Sequence, residues 1–214
     1  MPRAAAVALA VVLAAPAAAQ PAAFEAGGVR YAIPAPPGYC SKGPAIDAYY
    51  VTQRRHNPDA VPDAVFARCG VAELIPLDLF AVKVRTDMRI ERDALLAQIR
   101  AEMPEAMRKE TLIPDAVARD MERRAGEAFD TRVSLNAGIK PIGVDDFCGY
   151  IAGVIRLQYE GGDPMNMAMG GCVTAIGGRP VYVFRYLSDV DAATAARELP
   201  ALKRFAQSIQ ARKD

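Results

Sequence analysis

The stretch IAGVIRLQYEGGDPMNMAMGGCVTAIGGRPVYVFRY, Ile151 to Tyr186, decides how this chain folds. In its first part Ile151, Gly153, Ile155, Leu157 and Tyr159 fall on alternate positions, with Arg156 and Gln158 on the other face. That period of two marks a half-buried strand. Gly161-Gly162-Asp163-Pro164 then forms a turn, because glycine and proline punctuate regular structure. Met165 to Ile176 reads as a second strand. Gly177-Gly178 accepts the positive φ angles of a tight hairpin. Val181 to Tyr186 returns as a third strand, with Tyr182, Phe184 and Tyr186 sharing a face. Three consecutive strands joined by short turns predict an antiparallel meander. The pair Gly170-Gly171 inside the second strand reads as a bulge.

After the meander, Ser188-Asp189-Val190-Asp191 resembles a capping box, and Leu199, Leu202, Phe205 or Ala206, and Ile209 form the buried stripe of a closing helix. Pro200 predicts a kink in that helix or the start of a second segment. Before the meander, residues 90–129 are rich in Ala, Glu, Arg, Met and Leu. Ile90, Leu95 or Leu96, Ile99 and Met103 keep helical spacing, and Val117, Met121, Ala125 and Phe129 form a second stripe. Two amphipathic helices are expected there, broken near Pro104 and Pro114, their charges either solvated or forming a separate recognition element. Leu79 to Val84 alternates as a strand, and Val65 to Leu74 reads as extended. Pro44 suits the first turn of a helix through Ile46, Tyr49, Tyr50 and Gln53, which ends before His56-Asn57-Pro58. Val29 to Ile33 is a strand, stopped by Pro34, Pro36, Pro37 and Gly38. The fold class is α+β: an antiparallel β-sheet flanked by helices, in a single domain over residues 29–214.

The start of the chain has a different character. Met1-Pro2-Arg3 carries one positive charge, Ala4 to Ala15 is apolar, and Ala17-Ala18-Ala19 offers small residues before Gln20. Basic start, short apolar run and small-residue site make a secretory signal peptide over residues 1–19, cleaved on export. The apolar run is too short for a spanning helix, which needs about 20 strongly apolar residues. No later stretch approaches that length, so a soluble periplasmic or secreted chain is expected, with residues 20–28 as a flexible leader. Of the 26 Lys and Arg, the signal removes Arg3, leaving 25 against 25 Asp and Glu. A balanced chain lacks the field that draws basic proteins onto nucleic acid.

Four cysteines in an exported chain read as disulfides. Three pairings are possible. Cys40–Cys69 with Cys148–Cys172 is favoured, because each half of the chain then closes on itself. No Cys-x-x-Cys is present, which removes the redox-motif and zinc-ribbon readings.

No catalytic constellation stands out. Ser41, Ser134, Ser188 and Ser208 lie in no nucleophile elbow. His56, the only histidine, follows Arg54 and Arg55 near a helix end; a hydrolase would have to be built around it and a remote carboxylate. Asp145-Asp146 and Glu160 with Asp163 lack the spacing of a calcium loop. Met165, Met167 and Met169 point the same way on a strand, and thioethers suit Cu(I), so the stripe is either a copper site or adaptable core filler. Tyr39, Tyr49 and Tyr50 lie in one short segment as candidate ligand or interface residues, or as packing between helix and sheet.

Two segments carry a family resemblance. Val29-Arg30-Tyr31-Ala32-Ile33-Pro34, followed by Pro37-Gly38-Tyr39-Cys40, forms one. Gly178-Arg179-Pro180-Val181-Tyr182-Val183-Phe184, running on to Gln207-Ser208-Ile209, forms the other. Together they resemble small exported bacterial proteins of unknown function with a PsbP/Mog1-like α/β sandwich. Residues 90–129 depart from that pattern and read as an insertion. The resemblance implies an antiparallel sheet flanked by helices, transfers no catalytic residue, and implies a binding or assisting role. The reading is therefore an exported periplasmic accessory or binding protein that recognises a protein or envelope component. The alternatives are a copper-binding protein using the methionine stripe and a hydrolase using His56.

Overall fold

The computed structural model describes residues 21–58, 61–73, 78–188 and 190–213. The expected signal segment, residues 1–19, lies outside them. In chain order the first elements are β1 (Ala22–Ala26), β2 (Val29–Ile33), β3 (Tyr39–Cys40), α1 (Pro44–His56), β4 (Ala64–Arg68) and β5 (Asp78–Val84). Next come α2 (Arg92–Ala106), α3 (Asp115–Phe129), β6 (Val133–Ala137) and β7 (Lys140–Val144). The meander is β8 (Gly149–Tyr159), β9 (Met165–Ile176) and β10 (Arg179–Ser188), followed by α4 (Ala192–Arg197), α5 (Leu199–Ser208) and β11 (Gln210–Lys213).

The strands form two antiparallel sheets. The large one runs β3-β4-β5-β10-β9-β8-β6, with β7 also paired to β8; the small one runs β1-β2-β11. The meander lies inside the large sheet, so each of its strands is paired along both edges. On β10, Val181, Val183 and Arg185 face one side, while Tyr182, Phe184 and Tyr186 face the other.

One face is closed. The small sheet and α5 lie on it, and Tyr31, Ile33, Phe66, Phe80, Val183, Leu202 and Phe205 form the main core. Phe205 meets the Phe66 ring edge-on at 5.5 Å and the Phe80 ring at 5.0 Å. The Cys148–Cys172 disulfide is buried in the same core, and Cys40–Cys69 ties the loop after β3 to the end of β4. The pairing within each half of the chain is the one its spacing favours. On the other face, α1 packs Ile46, Tyr49 and Tyr50 on Val65, Ala67, Leu79 and Ala81. There α3 packs Met121 and Ala125 near β6 and β8, and α2 covers the β7–β8 end.

Several expectations change. Residues 20–28, expected as a flexible leader, contain β1, and the folded domain therefore starts before residue 29. Gly27 (φ 59°) and Gly28 (φ 73°) make the primed turn of a β1–β2 hairpin, and Phe24 stacks on Tyr31 at 5.3 Å. No bulge occurs at Gly170-Gly171: pairing with both neighbours runs through without a shift, and the irregularity lies between Pro141 and Gly143 instead. The two helices of residues 90–129 are interrupted where expected, α2 ending at Ala106 two residues after Pro104 and α3 starting directly after Pro114. The helix cap after the meander is Asp191, which accepts from the Thr194 amide at 2.7 Å, while Ser188 ends β10. Pro200 starts the separate helix α5.

Polar anchors fix the layers to one another. Arg179 donates to the carbonyls of Thr86 at 2.6 Å, Met88 at 3.1 Å and Gly27 at 2.7 Å, joining the small sheet to the segment that leads into α2. The Asp145 carboxylate accepts from Lys203 on α5, the amides of Phe147 and Cys148, and the Tyr150 hydroxyl, each at 2.7 Å. Burial alone would raise its pKa, but Lys203 and the amide and hydroxyl donors outweigh burial and hold it well below the usual carboxylate range.

A pH dependence follows from Asp145. A depressed carboxylate contributes stability above its unfolded pKa of about 4, and that contribution fades as pH falls toward the folded value. Asp145→Asn should cost about 1 kcal/mol at neutral pH, after allowance for solvent screening. Urea melts at several pH values should show the gap to wild type narrowing below about pH 4. The close approach of Gly153 to the β6–β7 turn gives a second expectation. A Cβ on Gly153 would lie 2.0 Å from the Gly138 carbonyl oxygen, whereas one on Gly143 would meet nothing within 4 Å. Gly153→Ala should therefore destabilise by about 2–3 kcal/mol, with Gly143→Ala within about 1 kcal/mol of wild type in the same melts.

Candidate functional site

On the helical face, α1 lies over β4 and β5 and α3 lies over β6 and β8. The two helices are joined where Arg124, in the third turn of α3, donates to the side chain of Asn57 at the end of α1. Between them is a cleft of about 590 Å³, within the range of small-molecule sites. Its floor is Leu79 and Ala81 of β5, Phe184 and Tyr186 of β10, Met167 of β9 and Ile155 of β8. Tyr49 and Gln53 of α1 form one wall and Met121 of α3 the other.

The helix on the far wall is weakly buried. Its stripe of Val117, Met121, Ala125 and Phe129 is the amphipathic face read from sequence, but no described side chain of α3 is fully buried, and Val117 is 48% exposed. The Phe129 side chain lies outside the described residues. Beside the packing of Met121 and Ala125, Glu122 accepts from the Leu135 amide of β6 at 2.7 Å and Arg124 donates to the Asn57 side chain, while the 2.7 Å pair of Arg124 with Asp120 lies within α3 itself.

Among the described residues, Lys83 is the charged one that lines the cleft. Its Nζ donates to the Val61 carbonyl at 2.7 Å and lies 3.9 Å from Asp63. Burial pushes the Tyr49 hydroxyl up, helped by the neighbouring Tyr186 and Tyr50, and pushes the Tyr186 hydroxyl up to about 12. Both phenols are therefore protonated, and neither has a hydrogen-bond partner among the described residues.

The candidate residues divide between the two faces. Tyr39 is separated from Tyr49 and Tyr50 by the sheet: it is 3% exposed, packs edge-on against Phe80 at 5.0 Å and donates to Asp78 at 2.7 Å. Tyr50 packs edge-on against Tyr49 at 6.0 Å, under Arg54. Met165, Met167 and Met169 do share a face, where they pack in one apolar cluster with Val133, Ile155 and Leu157. Met169 is buried, and Met167 reaches the cleft. Among the described residues no group of three His, Cys, Asp or Glu is placed to hold a metal, and every cysteine is in a disulfide. His56 ends α1, and its side chain lies outside the described residues. Tyr49 and Met167, which belong to two different candidate groups in the sequence, thus line the same cleft.

A second polar cluster lies on the closed face, and its members carry no motif. Arg185 is 7% exposed, pairs with Asp78 at 2.7 Å and lies 4.3 Å over the Phe80 ring. Arg68 pairs with the other Asp78 oxygen at 2.6 Å. Burial would raise the Asp78 pKa, but the Tyr39 and Arg68 hydrogen bonds and the Arg185 charge lower it. Both arginines share the Asp78 carboxylate, the Glu198 carboxylate lies 3.9 Å from the Arg185 Nε, and the cluster joins β3, β4, β5 and β10. The signal for it in the sequence is an arginine at an inward position of an alternating strand.

No protein-family model matches the chain, and no curated protein matches it. Solved structures do. The solution structure of cyanobacterial PsbP from Synechocystis is 13% identical, covers 95% of this chain and 98% of that one, and has a TM-score of 0.39. The Saccharomyces cerevisiae Ran-binding protein Mog1p is 11% identical, covers 89% and 92%, and has a TM-score of 0.30. The α+β architecture itself stands on the strand pairing described above.

The Asp78 cluster generates a measurable coupling. Asp78→Ala leaves Arg185 buried without its carboxylate and should destabilise by about 3 kcal/mol. Adding Arg185→Met should recover part of that loss. A double-mutant cycle by denaturant unfolding reads the coupling, and strictly additive losses would rule it out.

Proposed function

We propose that this chain is an exported accessory protein that binds a component of the cell envelope in the cleft between α1 and α3. The cleft carries the reading. It is preformed, mostly apolar, floored by a sheet that is covered on its other face, and lined by hydroxyls with no protein partner among the described residues. The order of residues 1–19 supports export. Two disulfides support a destination outside the cytoplasm, since such bonds persist in oxidising compartments. A binding role also fits a chain whose cysteines are all paired and whose described residues assemble no metal-ligand group.

Two measurements test this. Fractionation of the producing cells should place the protein in the periplasm or medium, starting at Gln20 and unreactive to maleimide until reduced. A cytoplasmic protein with reactive thiols would refute export. A photoreactive residue at Gln53, on the cleft wall, should cross-link to an envelope component when irradiated in cells. The same residue at Arg156, exposed on the opposite face of β8, should not. Equal labelling at both sites, or none at position 53, would refute the assignment of the cleft.

A further inference from the structure

The chemistry of the cleft narrows what can occupy it, given the reading of the cleft as the binding site. Charge is the first filter. Among the described residues, no Asp or Glu lines the cleft, and the lining cation, Lys83, is engaged by the Val61 carbonyl and lies near Asp63. Arg124, where the two helices are joined, is paired with Asp120 and Asn57. A charged ligand would lose its hydration and gain no partner, which is costly in an apolar site.

Shape and polarisability are the second filter. Tyr182, Phe184 and Tyr186 form a column of rings along β10, with centroids 6.3 Å and 6.0 Å apart. Phe184 and Tyr186 enter the cleft floor, Tyr49 stands at its side, and the thioethers of Met121 and Met167 close it. Rings and sulfurs of this kind favour a flat aromatic occupant over an aliphatic one.

Hydrogen bonding is the third. The half-buried Tyr49 and Tyr186 both line the cleft, and their hydroxyls are O–H donors with no acceptor among the described residues, free to donate to a ligand seated there. We infer that the cleft binds a small, uncharged aromatic molecule bearing a carbonyl-type acceptor, which the Tyr49 and Tyr186 hydroxyls would hold.

Prodan, a neutral naphthalene ketone, is a suitable probe, because its emission reports both the polarity around it and the hydrogen bond to its carbonyl. Added to the mature protein, residues 20–214, it should bind saturably at one site with blue-shifted emission. Tyr186→Phe should weaken binding by about threefold to tenfold and shift the bound emission further to the blue, as the carbonyl loses its donor. Met167→Trp and Ala81→Leu each fill the cleft and should abolish binding; either suffices if the other proves unstable by circular dichroism and melting. Neutral 2-acetylnaphthalene should displace the probe, and naphthalene-2-sulfonate and 2-undecanone should not.

Absence of saturable prodan binding overturns the inference. So does displacement by the sulfonate or the aliphatic ketone as readily as by 2-acetylnaphthalene, or unchanged emission in Tyr186→Phe. If prodan fails to bind while position 53 still cross-links selectively in cells, the ligand class is wrong and the binding reading stands. If both fail, both are wrong.

Discussion

Gly170 and Gly171 sit side by side in β9, one facing each side of the large sheet, and the difference between the two faces begins with them. On the closed face, a Cβ at Gly170 would lie 3.1 Å from both the Ala195 carbonyl oxygen and Leu202 Cδ1. The missing side chain is what lets α4 and α5 rest directly on the strand. On the helical face, a Cβ at Gly171 would lie 2.7 Å from Ile151 Cγ1 and 3.0 Å from Phe184 Cδ1. There the vacancy is filled by side chains from β8 and β10 lying across β9. The first face is closed by backbone contact. The second is levelled by side chains from within the sheet, so its helices pack at the flanks and leave the middle open.

A cleft of this kind is useful for recognition only if its floor does not give way, and the closed face supplies that rigidity. Arg179 holds three carbonyls from two separate segments, and Asp145 with Lys203 ties α5 to the β7–β8 turn. The disulfides close separations of 29 and 24 residues. On the chain-entropy model each removes about 3–4 kcal/mol of freedom from the unfolded state. A ligand that enters such a frame pays little to order it, which is the general advantage of preorganisation.

The meander, β2, β5 and the terminal helices were legible because each is written in a single periodicity with unambiguous punctuation. The β1–β2 hairpin was equally available: Gly27-Gly28 is the same turn signal as Gly177-Gly178, but its flanks are alanines whose small apolar surface gives a faint alternation. Strands β6 and β7 are short and carry Ser134, Asn136, Lys140 and Pro141, so their pairing is decided by β8 rather than by their own composition. The partners of Arg179 and Arg185 were not legible, since a sequence does not display the carbonyls and the carboxylate that neutralise them in the interior. The cleft was the least legible feature. Tyr49 and Met167 stand more than a hundred residues apart, and only the order β5-β10-β9-β8 brings their strands and helices to one place.

That open middle is not a packing fault awaiting repair. An amphipathic helix ordinarily turns its stripe into a core, because burial of the apolar face is what holds a helix in place. Here α3 keeps Val117 largely exposed and rests on the sheet through the half-buried Met121 and Ala125 and the Glu122 bond to the Leu135 amide. These contacts are few and only half-buried, which places α3 among the least stable elements of the fold. It is also the element that carries Met121 into the cleft. The main core is built on the closed face by residues from most of the strands, and α3 is left beside an apolar cleft on the other. A molecule seated against Met121 and the rings of β10 would bury the surface that α3 leaves uncovered, and would thereby stabilise both the cleft and the helix that walls it.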